Sequence, residues 1–195
     1  MGIEARGIFL LPISLVAVLL VLLIIQTQAT QNWHESAPSG AAEVFGKEKV
    51  TKLHFYFHDT VSGKNPTGVV VAQAPTTNQS STGFGLLAII DDPLTTGPEI
   101  TSKLIGRAQG LVGFASQEEL ASLMALSYVF TDGKLNGSTI SIVTRNPIMN
   151  PVREFAVVGG TGLFKFARGF ADVKTYWVNN LGDAIVEYSV TILHY

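Results

Sequence analysis

Asp59 ends the run Leu53-His54-Phe55-Tyr56-Phe57-His58-Asp59, in which positions 53, 55 and 57 are large and apolar. If this run is a strand, Asp59 shares a face with Leu53, Phe55 and Phe57. A carboxyl among phenylalanines is poorly hydrated, so it keeps its proton towards neutral pH and can serve as an acid. Arg153 stands in the same way on the face of Phe155 and Val157. In a shared cavity its fixed donors could hold a phenolate-like oxygen. The plainer reading is a structural ion pair, or strand-end residues whose heads reach water, and the residues alone leave both open.

Other chemistries find less support. Val158-Gly159-Gly160-Thr161-Gly162 is glycine-rich, but no Lys-Ser/Thr and no helix follow it, so it reads as a turn between strands rather than a phosphate loop. His54 and His58 would lie about 13 Å apart along a strand, too far for one metal. They read, with His34 and His194, as surface or packing residues. There is no Gly-x-Ser-x-Gly elbow and no cysteine, which leaves no signal for a serine triad and removes thiol, zinc–thiolate and iron–sulfur chemistry. Two N-glycosylation sequons, at Asn78 and Asn136, fall in turn segments.

The elements that must position Asp59 and Arg153 are strands. From residue 51 short β-rich runs alternate with turn clusters; strands are expected at 51–59, 68–74, 83–91, 104–115, 121–130, 138–144, 152–158, 169–178 and 184–194. The clusters SGKNPTG, DDPLTTGP, DGKLNG, RNPIMNP, GGTG and NNLGD separate them. Segment 116–126 (SQEELASLMAL) reads as a helical turn. Hairpin-length links between eight or nine strands argue for an up-and-down antiparallel barrel or a sandwich. On strand 104–115 the face of Gly106, Ala108, Gly110, Val112 and Phe114 is mostly small, which would leave space for a ligand if it points inward. Arg107 and Gln109 take the opposite face.

Arg6 precedes an apolar run from Ile13 to Ile25, which ends at Gln26-Thr27-Gln28-Ala29. The run is too short to cross a bilayer as a helix, and its small-residue exit reads as a signal peptide cleaved after Ala29, with an uncleaved anchor as the alternative. Residues 30–50 read as a flexible lead-in and 51–195 as one domain. The formal charge is −2, and the leader carries one Glu and one Arg, so cleavage leaves it unchanged. That balance gives no electrostatic reason to bind nucleic acid or an anionic membrane.

Four motifs in order carry a resemblance. Phe55-Tyr56-Phe57-His58-Asp59-Thr60, Gly106-Arg107-Ala108-Gln109-Gly110, Val157-Val158-Gly159-Gly160-Thr161-Gly162 and Ala167-Arg168-Gly169 resemble the motif series of plant dirigent proteins, from about Lys52 to Tyr195. The resemblance implies an eight-stranded antiparallel barrel, usually trimeric, secreted to the plant apoplast and cell wall, with no cofactor. Dirigent proteins of lignan biosynthesis steer phenoxy radicals made by a separate laccase or other oxidase. Related members convert an isoflavanol to a pterocarpan by eliminating water. Both routes pass through a quinone methide.

By this resemblance Asp59 matches the acid ending the first motif, and Arg153 the pocket arginine. The expected pocket lining is Phe55, Phe57, Val112, Phe114, Asn146 and Val186. Lignan-forming members have a second acid where this chain has Asn146, and pocket tyrosines where it has Val112 and Phe114. These departures resemble the subgroup that contains the pterocarpan-forming members. Three readings follow: a guide of radical coupling that needs an oxidase, a lyase that works alone, and a carrier of apolar phenolics.

Overall fold

A computed structural model describes residues 46–195. The expected signal peptide and most of the lead-in, residues 1–45, lie outside the described residues. The strands are β1 (Lys49–Asp59), β2 (Gly68–Gln73), β3 (Leu86–Thr95), β4 (Leu104–Phe114), β5 (Ala121–Phe130), β6 (Thr139–Pro147), β7 (Val152–Thr161), β8 (Arg168–Val178) and β9 (Ala184–His194). Neighbouring strands are antiparallel in the order β1-β9-β8-β7-β6-β5-β4-β3-β2, and β1 also pairs with β3. That last pairing closes an eight-stranded barrel, the architecture the resemblance implies.

Nine strands make an eight-stranded barrel because its first stave is split. On the same edge of β3, β1 pairs with Leu94 and Thr95, while β2 pairs with residues 86–90. Residues 60–67 leave the wall between them and return: Thr67 N–H donates to Thr60 O at 2.7 Å, and Asp91 N–H to Thr67 O at 2.8 Å. Pro93, with no N–H to give, stands where the β1 pairing stops.

Alternation sends one face of every strand inside. Phe55, Tyr128, Tyr188, Phe130, Phe155, Ile140, Ile142, Val173 and Ile192 are all buried. The Phe55 and Tyr188 rings stack at 5.3 Å, and Tyr128 donates its hydroxyl hydrogen to Tyr188 Oη at 2.9 Å. Arg107 and Gln109, as expected, lie off this face and hold the carboxylate of Asp91.

Three expectations change. Segment 116–126 forms no helix: residues 116–120 turn, and β5 starts at Ala121, because Ser122, Met124, Leu126, Tyr128 and Phe130 alternate into the core. β1 begins at Lys49, inside the expected lead-in, because its pairing with β9 runs out to Lys49↔His194. The glycines of β4 do not hollow out a pocket: a Cβ on Gly106 would lie 2.3 Å from Val129 O, and one on Gly110, 2.2 Å from Ala125 O. They let the backbone of β4 press against β5.

Candidate functional site

The unpartnered buried side-chain atoms among the described residues are Asp59 Oδ1, both carboxylate oxygens of Asp92, Ser122 Oγ and Arg153 Nε. Buried polar atoms are nearly always satisfied, so this set points to groups that a bound ligand or an ordered water would complete. They fall into an acidic pole and a donor pole.

The acidic pole lies at the split stave. The β1–β3 register pairs Tyr56 with Thr95 and Phe57 with Leu94; carried two residues further, it sets Asp59 opposite Asp92. Asp92 is fully buried, on the face of Ile90 and Leu94, and Asp59 is half-buried. Burial raises the Asp59 carboxyl to about 6, helped by Asp183. Burial raises Asp92 further, to about 8, with the charge of Asp59 as the next cause. Thr67 pulls Asp92 the other way, but its hydroxyl is engaged with Thr60 O at 3.3 Å, so both Asp92 oxygens count as unpartnered.

Asp183 fastens the excursion beside this pole. Its Oδ1 accepts Val61 N–H and Ser62 N–H at 2.9 Å, and its Oδ2 accepts the Ser62 hydroxyl at 2.6 Å. These bonds, with one from Asn179 at 2.8 Å, hold the Asp183 carboxyl below the usual range.

The donor pole is Arg153, which is 6% exposed. One terminal nitrogen donates to Asn146 Oδ1 at 3.4 Å and Ile148 O at 3.3 Å; the other donates to Thr175 Oγ1 at 2.8 Å. All three acceptors are neutral, so Arg153 stays an uncompensated cation whose Nε–H is free. Burial lowers its pKa, opposed by the Tyr188 phenol. Ser122 pairs with Asn146 across β5 and β6, bringing a second unused group to the same end. No salt bridge joins Arg153 to Asp59 among the described residues, which argues against the ion-pair reading.

Aromatic side chains pack between the poles. Arg153, Val173, Tyr188 and Phe55 form one cross-strand row. Phe57 lies beside Tyr188 with ring centroids 5.8 Å apart. Val112 and Val186 pack against this core, whereas Phe114 turns to the 80–85 loop and covers Gly83. A shallow cleft of about 470 Å³ lies elsewhere, between residues 158–160 and 166–168, with Tyr195.

Sequence reasoning missed Asp92 and Ser122. Asp91-Asp92-Pro93 reads as a turn, but the alternation Ile90, Asp92, Leu94 was the available signal. Of the histidines, His54 meets Glu187 at 2.8 Å, and His58 is buried against the Thr95 hydroxyl at 2.7 Å. His194 meets the Thr51 hydroxyl at 2.9 Å. No three metal-ligating side chains converge among the described residues.

A family model described as dirigent-like protein matches residues 50–193. The chain is 56% identical over 148 residues to Dirigent protein 21 of Arabidopsis thaliana, covering 75% of this chain and 78% of that one. It is 53% identical over 153 residues to Pterocarpan synthase 1 of Glycyrrhiza echinata, covering 77% and 81%. A solved pterocarpan synthase dirigent protein superposes with a TM-score of 0.73 at 52% identity, over 77% of this chain and 87% of that one.

Proposed function

We infer that this chain, which belongs to the dirigent family, is a lyase that eliminates water from a phenolic benzylic alcohol and guides closure of the resulting quinone methide. The observation that carries this reading is the Asp59–Asp92 pair: a half-buried and a fully buried carboxyl, neither in a salt bridge among the described residues, facing an aromatic interior. Such a pair holds a proton near neutral pH and can give it to a departing hydroxyl. At the other pole Arg153 and Ser122 have donors free for the phenolic oxygen, whose negative charge grows as its electrons move into the ring. The likeness to pterocarpan synthases supports the same chemistry, with an isoflavanol as the matching substrate class. No cofactor enters the scheme.

The free donors at Arg153 and Ser122 also favour a second reading, in which they hold a phenoxy radical made by an external laccase and fix the handedness of coupling. Incubating the protein with an isoflavanol, or with a monolignol, each with and without laccase, separates the two. Product from the isoflavanol alone, resolved as one enantiomer on a chiral column, is expected. Stereoselective product only when laccase is present would overturn the lyase reading in favour of the second, and ligand recovered unchanged in every arm would leave a carrier.

The same reading places the mature protein in the apoplast as a homo-oligomer, a trimer as in the family. Supporting an assembly, Val69, Ile89, Leu111, Ala125 and Val143 are register partners in one row across five strands. Four of the five are exposed, Val69 at 50% and Val143 at 47%. Asn78 and Asn136 are exposed as well, with room for sugars.

A further inference from the structure

We propose that Asp92 is a positioning acid: it shares one proton with Asp59 across the β1–β3 seam, and Asp59 delivers that proton to the substrate. This rests on the water-elimination reading and adds a residue to it. Two carboxylates facing each other across a strand seam cannot both ionise freely. Asp59 and Asp92 stand two residues past the last β1–β3 register pair, Phe57↔Leu94, close enough for the charge of Asp59 to act on Asp92, and Asp59 Oδ1 and both Asp92 oxygens have no hydrogen-bond partner.

The groups around the pair leave the second charge uncompensated. On β9 and β5, Tyr188 and Tyr128 have their pKa values raised by burial and stay neutral. On β4, Arg107 is committed to Asp91 on the other face of the wall, and its charge lowers Asp92 only as a lesser cause than burial and Asp59. Asp183, in the β8–β9 turn, adds negative charge. Arg153 on β7 acts on Tyr188 rather than on either acid. His58, next to Asp59 on β1, is kept neutral by burial against Thr95, with Glu99 as a minor opposing charge. The Thr67 hydroxyl lowers Asp92 somewhat, but it is turned to Thr60 O.

Asp59 ionises first and Asp92 holds on, so between about pH 6 and about pH 8 the pair keeps one proton. Asp59 is the more exposed partner and meets the substrate. The proton passes to the benzylic hydroxyl, the C–O bond breaks and water leaves. The electron pair comes from the phenol, whose O–H releases its proton as C=O forms. When the second hydroxyl of the substrate adds to the benzylic carbon, its proton returns to the pair and the phenol is reprotonated. One water is lost in all, and the carboxyls end as they began.

The test follows the carboxyls directly, by ¹³C NMR of aspartate-labelled protein without substrate. The Asp92 signal, titrating near pH 8, should fall by at least about one unit in Asp59→Asn, because the neighbouring charge is gone. Turnover of an isoflavanol is then followed against pH. The alkaline limb of kcat/KM should move from about pH 8 in the wild type to about pH 6 in Asp92→Asn, where Asp59 works alone. A merely structural Asp92 would change the yield of folded protein and leave the limb in place, and that overturns the proposal. An Asp92 titration identical in wild type and Asp59→Asn overturns it too, and needs no folded Asp92 variant. Coupled titration without turnover at any pH supports the shared proton and overturns the water-elimination reading instead.

Discussion

Replacing Asp92 by Asn should make the protein's stability less dependent on pH, whatever the substrate. The ordinary aspartate value is 3.8 and the folded value about 8, so folding favours the protonated form. Below about pH 4 both states hold the proton and the carboxyl costs nothing. As pH rises, the unfolded chain ionises freely and the buried group does not, so stability falls by about 1.4 kcal/mol per unit until the folded carboxyl titrates. Asp59 contributes in the same sense, but only up to about pH 6. Across the window from pH 6 to pH 8 Asp92 should cost the wild type about 2–3 kcal/mol, while His58, lowered from 6.5 by burial, opposes it at the lower end in both proteins alike. Asp92→Asn should lose almost nothing there, apart from any constant offset due to its amide. Urea unfolding at pH 6, 7 and 8 on both proteins reads the difference of slopes and cancels the offset. Parallel lines would show that Asp92 is charged, or solvated, in the folded protein, and the buried-proton argument would fall.

Arg153→Leu should weaken binding of a phenolic ligand by about 1.5–3 kcal/mol, the worth of a charge-assisted bond, measured by titration calorimetry; unchanged affinity with a lowered melting temperature would reduce Arg153 to a structural role. Gly110→Ala should destabilise the barrel by at least about 2 kcal/mol, because its methyl would collide with Ala125 O, and a melting curve like that of the wild type would contradict the close β4–β5 approach. Protein made in plant cells should lose mass on deglycosidase treatment, by up to two glycans, at Asn78 and Asn136; no change would mean that neither site is used.

Much of this arrangement can be read from the sequence, because alternation is a local property. Leu53, Phe55 and Phe57 place Asp59 inside, and Phe155 and Val157 do the same for Arg153; both placements hold. What could not be read depends on partners far along the chain. Asp91-Asp92-Pro93 has the composition of a turn, yet pairing with β4 continues straight through it. The small face of β4 looks like empty volume, but whether a glycine leaves space or admits a neighbouring backbone depends on β5. Ser116 to Leu126 has helix-forming residues, and the pull of the core on alternate side chains outweighs them.

The split first stave also makes the barrel mechanically uneven. Along its other edge β1 is held to β9 by eleven register pairs, from Lys49↔His194 to Asp59↔Ala184. Against β3 it has two, Tyr56↔Thr95 and Phe57↔Leu94. A closed cylinder breathes where it is least sewn, so this line is a clasp rather than a weld. The clasp runs past Asp59 and Asp92, and parting it needs no strand to slide or turn over. A flat aromatic molecule could then enter from the side, through the wall, and be shut in by the same two pairs.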